Sequence, residues 1–394
     1  MHVATGEVRA RRVIAALGLA VLTSCGGIGD TEQSALNQAE RSSQFPDSVE
    51  TLGDSTSQYP ISVGECLKRR CGVLLTRVGT LEDPDQTGLL SDRPTVIKLR
   101  NGSFLSMART RHRMLVYDSA GSLSRTVGSQ GQGPGEFMLA TMPVLGPGDS
   151  VFVFDVGLQR LTVFTPDLSF ARSILALRGP SLILDDGTFV VADHVGSADA
   201  VGYPLHRANP SGSIEFSFGA DTPHFRFDLP LATEHVVTYG AAGSIWAARR
   251  GSYSLEQWDA RSGRRLYRVP VQAEWFSEAL RYQGDGERPV SIVQSLIDGG
   301  PNLIWVLIRV ADAAWMPPAD TVWERRWDAD EYDADHDWIL DAVHVPTGRV
   351  LASHRFERAT RVANGASFLV SRAASTLAPT TFDVWRASLT PMEN

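Results

Sequence analysis

Charged side chains recur at one position of a repeating pattern in this chain. Six aromatic residues each open a short apolar stretch, and a charged residue follows each of them after a few positions. These charged residues are Arg109, Asp155, Asp193, Arg249, Arg309 and Arg372. Arginine suits planar carboxylate and phosphate groups, so such a set, with His112, Arg160 and His194 beside it, could bind an anionic ligand. The alternative is that the aspartates cap turns and the arginines are solvated.

Short strands and tight turns must position these residues, because from Pro60 onward few segments show an apolar period of 3.6 residues. The aromatic residues mark six similar units of about four strands each. They are Phe104, Phe152, Phe189, Trp246, Trp305 and Phe368. Turn residues rich in Gly, Asp, Asn and Pro follow five of them. We place the units at about 93–128, 138–177, 179–219, 231–271, 288–357 and 359–389 with 65–79.

The last unit has no turn and no final strand after 382–389. The segment 72–79 near the start of the folded region reads as a final strand with no strand before it. We therefore predict an all-β, six-bladed β-propeller that is closed by pairing of this N-terminal strand with the last blade. Closure removes exposed sheet edges, and a two-sheet sandwich is the competing fold. The loops between the second and third strands of the blades then surround one mouth of the central channel.

One blade carries a family resemblance. The glycine-rich run Gly131-Gln132-Gly133-Pro134-Gly135, followed by Phe137 and two apolar strands, resembles an NHL-type blade. The chain is similar in particular to the six-bladed propeller lipoproteins of bacterial envelopes. The resemblance is close in the first two blades and weaker afterwards. It implies a binding role, while some relatives are lactonases or lyases.

The first 24 residues have the pattern of a lipoprotein signal peptide. Arg9, Arg11 and Arg12 precede a short apolar run that ends in Leu22-Thr23-Ser24-Cys25. This ending looks like a lipobox, which predicts that Cys25 is acylated and holds the protein on a membrane. An ordinary signal peptide is the alternative. Residues 25–59 are polar and acidic and predict an extended tether, and 60–394 forms the propeller.

The two remaining cysteines are Cys66 and Cys71. In the oxidising envelope we expect a disulfide between them, with free thiols as the alternative. The acidic run near residue 330 includes Asp333, Asp335 and Asp337, which are weak candidates for calcium ligands. The run lacks the glycine and the closing glutamate of an EF-hand loop, so a solvated loop is the preferred interpretation. No metal or other cofactor is predicted.

Composition limits the function classes. The formal net charge of -8 argues against an extended basic surface and hence against nucleic acid as a partner. No nucleophile elbow, P-loop or zinc-protease motif is present in the sequence. We predict a lipid-anchored module at the cell envelope that binds an anionic small ligand or another envelope protein. The alternative is a lactonase-like hydrolase or lyase with a histidine such as His112 or His194 at the channel mouth.

Overall fold

The computed structural model describes residues 59–82, 96–108, 111–176, 178–221, 226–284, 287–317, 335–356, 360–362, 366, 368–372 and 381–392. They belong to the compact unit Val49–Asn394. The predicted signal peptide, the acylated Cys25 and the tether up to residue 58 lie outside the described residues. None of the helices in the described part of the chain is long and apolar enough to cross a membrane.

Within the described ranges, 24 strands form six antiparallel sheets of four strands each. Blade 1 contains β2 (Val96–Lys98), β3 (Phe104–Ala108), β4 (Arg113–Tyr117) and β5 (Leu123–Val127). Blade 2 contains β6 (Ala140–Leu145), β7 (Val151–Asp155), β8 (Arg160–Phe164) and β9 (Phe170–Leu175). Blade 3 contains β10 (Leu182–Ile183), β11 (Phe189–Val191), β12 (Leu205–Ala208) and β13 (Ile214–Phe218).

The other three blades have the same strand order. Blade 4 contains β14 (His235–Tyr239), β15 (Ser244–Arg249), β16 (Ser254–Asp259) and β17 (Arg264–Pro270). Blade 5 contains β18 (Ile292–Asp298), β19 (Leu303–Ala311), β20 (His336–His344) and β21 (Arg349–Phe356). Blade 6 contains β22 (Thr360–Arg361), β23 (Leu369–Arg372), β24 (Thr381–Pro391) and β1 (Cys71–Glu82). The predicted six-bladed fold is confirmed.

The aromatic residues that mark the repeat pack between blades. Each lies in the second strand of its blade or, for Phe368, directly before it, and all six are buried. The ring of Phe104 meets that of Phe368 edge-on at 6.3 Å, which joins blade 1 to blade 6. Phe152 and Phe189 join blades 2 and 3 in the same way at 5.8 Å. Edge-to-face ring pairs stabilise an interface by more than the area they bury, so these aromatic residues stabilise the contacts between neighbouring sheets.

The ring is closed by pairing of the two ends of the propeller. β1 runs antiparallel to β24 from the pair Cys71 and Pro391 to the pair Glu82 and Thr381, with one bulge between Arg77 and Gly79. The hydroxyl of Thr80 also donates to Oδ1 of Asp383 at 2.7 Å. The predicted pairing of 72–79 with 382–389 is therefore confirmed, and both strands extend beyond the predicted limits.

The hairpins between the third and fourth strands fall where the sequence predicts them. Four of the five use a glycine with positive φ, at Gly121, Gly212, Gly263 and Gly348. In the fifth hairpin Leu168 takes this conformation, with φ of 66°. A side chain on Gly121 would also lie 1.9 Å from the carbonyl oxygen of Thr80, so this hairpin packs directly on β1.

A short helix, α1 (Val63–Cys66), precedes β1. It begins with a capping box in which Ser62 and Glu65 satisfy each other's backbone N–H groups. Cys66 and Cys71 form a disulfide with their Cα atoms 5.6 Å apart, so the predicted bridge is confirmed. Short 3-10 turns lie at Pro147–Asp149, Pro230–Ala232 and Ala241–Gly243.

Candidate functional site

The two ends of the propeller are built differently. Since neighbouring strands in each blade are antiparallel, the loops between second and third strands lie at one end, which we call the loop end. The hairpins between first and second strands lie at the other, the hairpin end. The charged residues singled out from the sequence belong to the loop end.

In blade 2 the predicted ligand residues are used within the fold. Asp155 is fully buried, and its carboxylate accepts backbone N–H groups of Met138, Leu139 and Leu158 at 2.6 to 3.1 Å. The guanidinium of Arg160 donates to three carbonyl oxygens of the glycine-rich connector, each at 2.7 Å. These belong to Gln132, Gly133 and Glu136. The turn-capping alternative therefore describes Asp155, and Arg160 holds the connector in place.

In blade 3, β11 ends at Val191, so Asp193 and His194 lie beyond the end of the strand and Asp193 is not its last residue as predicted. Asp193 is exposed and forms an ion pair with Arg178 at 3.2 Å, while its other oxygen accepts the N–H of His194 at 2.7 Å. Nε2 of His194 lies 3.4 Å from the hydroxyl of Thr233 in the loop that leads to blade 4. His194 thus faces the junction of blades 3 and 4, on the side where Arg249 ends β15.

The remaining predicted residues are distributed over other blades of the propeller. Arg309 lies within β19, which continues for two residues beyond it, so it is not at the end of its strand as predicted. Arg372 ends β23 opposite Phe382. His112 is half-buried with a positive φ of 55°, and no described residue forms a hydrogen bond with its buried Nδ1. Arg109 lies outside the described residues.

A cavity of about 250 Å³ opens between blades 3 and 4 at the loop end. We call it the interblade cavity. Its charged and titratable lining residues come from the start of β14, the end of β15, the outer strands of blade 4 and the loop after β13. They are Asp221, His235, Arg249, Glu256, Arg265 and Arg268. Three arginines face two carboxylates, which leaves a net positive wall if His235 is neutral.

His235 is held neutral. Its Nδ1 lies 2.7 Å from the carbonyl oxygen of Thr233, so Nδ1 carries the proton and donates to that oxygen. Burial, together with the nearby Arg249 and His194, lowers the pKa of His235 to about 4, although the hydrogen bond to Thr233 acts in the opposite direction. A neutral ring with Nδ1 as donor leaves the lone pair of Nε2 as an acceptor.

Arg249 is the least satisfied cation of the interblade cavity. One of its terminal nitrogens lies 3.6 Å from a carboxylate oxygen of Glu278, which is an ion pair but too long for a hydrogen bond. Its Nε is buried and has no hydrogen-bond partner among the described residues. The other oxygen of Glu278 accepts the hydroxyl of Ser252 at 2.5 Å. Arg249 therefore retains donors for a further acceptor.

Glu256 lies between the other two arginines. Its carboxylate is 3.6 Å from Arg265 and 3.4 Å from Arg268, and its side chain is 14% exposed. Burial raises the pKa of Glu256, while the two arginines act in the opposite direction. Arg265 also contacts Asp221 at 3.2 Å. The cavity therefore has a charged wall in which two cations share one buried carboxylate.

Exposed apolar side chains lie on the loops that border the interblade cavity. Val201 is 45% exposed and precedes Gly202, a lining residue. Phe227, 89% exposed, lies in the loop that supplies Asp221 and Thr233. Leu280, 48% exposed, follows Ala279, whose N–H bonds to Gly251 beside β15. A partner at this mouth meets both cations and apolar surface.

The weak calcium candidates gain no ligand set in the described residues. Asp337 is buried, and its Oδ2 accepts Nε of Arg355 at 2.8 Å. The backbone oxygen of Asp335 accepts the N–H of Asp312. Asp333 lies outside the described residues, and within them no three His, Cys, Asp or Glu side chains converge on a metal position.

Several residues of the interblade cavity were missed in the sequence. His235, Glu256, Arg265 and Arg268 lie on strands, whereas the prediction from the sequence concerns residues at the loops. The alternation of Ser254, Glu256 and Trp258 places these residues on one face of β16, so a charged residue on that apolar face was a detectable signal. Nothing in the sequence indicates that this face turns toward blade 3.

Comparisons with solved structures support the fold. The chain is similar to a member of the DUF4221 family from Bacteroides vulgatus, with a TM-score of 0.57 and 9% identity over 82% of this chain and 99% of that one. It is similar to a protein of Bacteroides fragilis described as exported, with a TM-score of 0.51 and 11% identity over 82% and 96%. Virginiamycin B lyase from Staphylococcus aureus aligns with a TM-score of 0.40 and 9% identity over 85% and 99%.

At such identities the likeness concerns the fold alone. No family model matches the chain. A search of curated proteins also finds no match.

Proposed function

We propose that this propeller is a binding module that holds an anionic group of an amphipathic partner in the interblade cavity. The observation that carries the proposal is Arg249, whose buried Nε and loosely paired terminal nitrogens line that cavity. A carboxylate there would accept charge-assisted hydrogen bonds from donors that are already positioned. Arg268 and the acceptor nitrogen of His235 would orient the rest of the partner.

The apolar border indicates what kind of molecule carries the carboxylate. Val201, Phe227 and Leu280 would be covered by apolar groups next to the anion. An acidic residue between apolar residues of a peptide or protein segment has this character. Clefts with an apolar surround and few polar groups are typical of specific binding sites.

The test is calorimetric titration of the full-length chain in detergent with the peptide N-acetyl-Leu-Asp-Leu-amide and its Asn counterpart, which differ in one charge. The Asp peptide should bind at least tenfold more tightly, because a charge-assisted hydrogen bond contributes about 1.5–3 kcal/mol. Arg249→Gln should abolish the difference. Arg172→Gln, an exposed arginine on the outer strand of blade 2, is the matched control and should leave it unchanged.

Equal binding of the two peptides would contradict the proposal. So would an Arg249→Gln variant that still prefers the Asp peptide. Turnover of a lactone panel by the wild-type protein would instead support the hydrolase or lyase. In that case loss of turnover in His194→Ala or His235→Ala would identify the base.

We further propose that the module is exported and lipid-anchored through Cys25 at the cell envelope. The signal-peptide pattern and the lipobox-like Leu22-Thr23-Ser24-Cys25 support it. The disulfide agrees with an oxidising compartment. Metabolic labelling with palmitate should mark the wild-type chain and not Cys25→Ser. A labelled Cys25→Ser variant, or an unlabelled wild type, would contradict lipidation at this residue.

A further inference from the structure

A second cavity, of about 510 Å³, lies at the hairpin end. We call it the central cavity, because first strands and their hairpins from blades 1, 2, 3 and 4 line it together with blade 6. Its wall combines apolar and polar surface in about equal parts. The apolar lining residues are Ile97, Leu99, Leu145, Pro147, Ile183, Tyr239, Ala366 and Phe368. The volume lies within the range of about 300–1,000 Å³ that is typical of small-molecule sites.

The wall of the central cavity is held by Tyr239. Its hydroxyl accepts the N–H of Ile183 at 3.3 Å and lies 3.1 Å from the carbonyl oxygen of the same residue and 3.4 Å from that of Leu145. One side chain of blade 4 therefore bonds to blades 2 and 3. A cavity wall fixed in this way is preorganised, which lowers the cost of ordering it around a ligand.

Four charged residues lie in the lining, and two of them neutralise each other. Nε of Arg100 is 3.4 Å from Oδ1 of Asp149, and the backbone N–H of Arg100 donates to Oδ2 of the same residue at 3.0 Å. The other two are Lys98 and Asp185. Neither forms an ion pair or a side-chain hydrogen bond within the described residues. Nζ of Lys98 lies 4.8 Å from the ring centroid of Phe104 instead.

Lys98 and Asp185 lie on blades 1 and 3, which are separated by blade 2. A ligand that meets both must reach across the cavity with an anionic group at one end and a cationic group at the other. Between its two charged ends, its body must cover the apolar side chains of the wall. We infer that the central cavity binds a small zwitterion with an apolar body, of the class of an apolar dipeptide. This site is independent of the interblade cavity, which lies at the opposite end.

The sequence offers a direct probe, because Lys68 and Lys98 are its two lysines. We would label the full-length protein with an amine-acetylating reagent with and without leucyl-leucine and measure both lysines by mass spectrometry. The amine of the dipeptide also consumes reagent. Lys68 is exposed and serves as the internal standard that corrects for this loss. We expect the ratio of Lys98 to Lys68 acetylation to fall at least threefold with saturating dipeptide. An unchanged ratio would overturn the inference.

Calorimetry separates the two charges. Leucyl-leucine carries both charges. Its N-acetyl form keeps only the carboxylate, and its C-terminal amide keeps only the ammonium group. Lys98→Met should weaken the first two at least tenfold and leave the amide unchanged. Asp185→Asn should weaken leucyl-leucine and the amide about threefold, because this carboxylate is more exposed. Lys68→Met is the matched control.

Two results would reject the site. One is the absence of leucyl-leucine binding to the wild type at millimolar concentration. The other is a Lys98→Met variant that binds all three compounds as the wild type does. Neither result depends on the peptide titrations of the interblade cavity, so the two proposals fail separately.

Discussion

The hydroxyl of Tyr253 donates a 2.6 Å hydrogen bond to Oδ2 of Asp341 and so joins blade 4 to blade 5. The other carboxylate oxygen accepts the hydroxyl of Ser353 at 2.6 Å. Asp341 is 1% exposed. Burial raises its pKa from 3.8 to about 6, although both hydrogen bonds favour the charged form. The contact between these two blades is therefore coupled to the protonation of Asp341.

Through Asp341, stability should fall as the pH rises from about 4 to about 6, while His235, whose pKa is lowered to about 4, acts in the opposite direction over a similar window. The Asp341 component is therefore read from the difference between the wild type and Asp341→Asn. In that window the folded state keeps the proton of Asp341 that the unfolded chain releases, so the folded state binds more protons. A shift of about two pKa units corresponds to roughly 3 kcal/mol, lost as the pH passes through 6. Urea unfolding between pH 4 and 7 measures it. Asp341→Asn should lack this component and Asp199→Asn, at an exposed site, should retain it. An Asp341→Asn profile parallel to the wild type would contradict the prediction.

Asp155 and Asp193 occupy equivalent places in blades 2 and 3 but should differ in their effect on stability. Asp155→Asn replaces one buried acceptor oxygen by an amide that faces backbone donors, so we expect a loss of about 2–4 kcal/mol. Asp193→Asn removes an exposed ion pair and should cost at most about 1 kcal/mol. Chemical denaturation compares them. Similar losses would show that Asp155 does not hold the connector.

The hairpin of blade 1 should tolerate no side chain at Gly121. Its φ is 96°, and a Cβ atom would overlap the carbonyl oxygen of Thr80. Gly148→Ala is the matched control, because its φ of 67° is also positive but no atom lies within 4 Å of the added carbon. The control should cost about 1–2 kcal/mol from backbone strain alone. Gly121→Ala should lower the stability measured by thermal unfolding by clearly more than Gly148→Ala does. Equal losses of stability would show that β1 can shift away from the hairpin without cost.

Loss of the disulfide should have a moderate effect. The bridge between Cys66 and Cys71 closes a small loop, so its effect on the entropy of the unfolded chain is about 2 kcal/mol. The double variant Cys66→Ser, Cys71→Ser should therefore unfold at a lower temperature but keep the propeller. Retained far-UV circular dichroism with a lowered midpoint is the expected result. Loss of the folded state would show that the bridge is required for closure by β1.

The fold was readable in the sequence because its determinants are local and repeated. Phe104, Phe152 and the other aromatic residues lie at one position of each unit, and hairpin glycines such as Gly121 are required by dihedral angles that few other residues adopt. The closing strand was recognisable because it reads as the last strand of a unit whose first three strands do not precede it. The capping box of α1, formed by Ser62 and Glu65, is a further local signal in the sequence.

The sequence determined that charged residues lie at or near the ends of the second strands, and the tertiary structure decided which of them remain available for a ligand. Asp155 and Arg160 bond to backbone groups of the segment that leads from blade 1 to blade 2, whereas the Nε of Arg249 meets no acceptor in the part of the chain that the structure describes. His235 and Glu256 enter the interblade cavity only through the packing of blade 4 on blade 3. Local propensities set each strand and turn, but the surroundings of a charge depend on residues of other strands and loops that the fold brings next to it, which pattern alone does not encode.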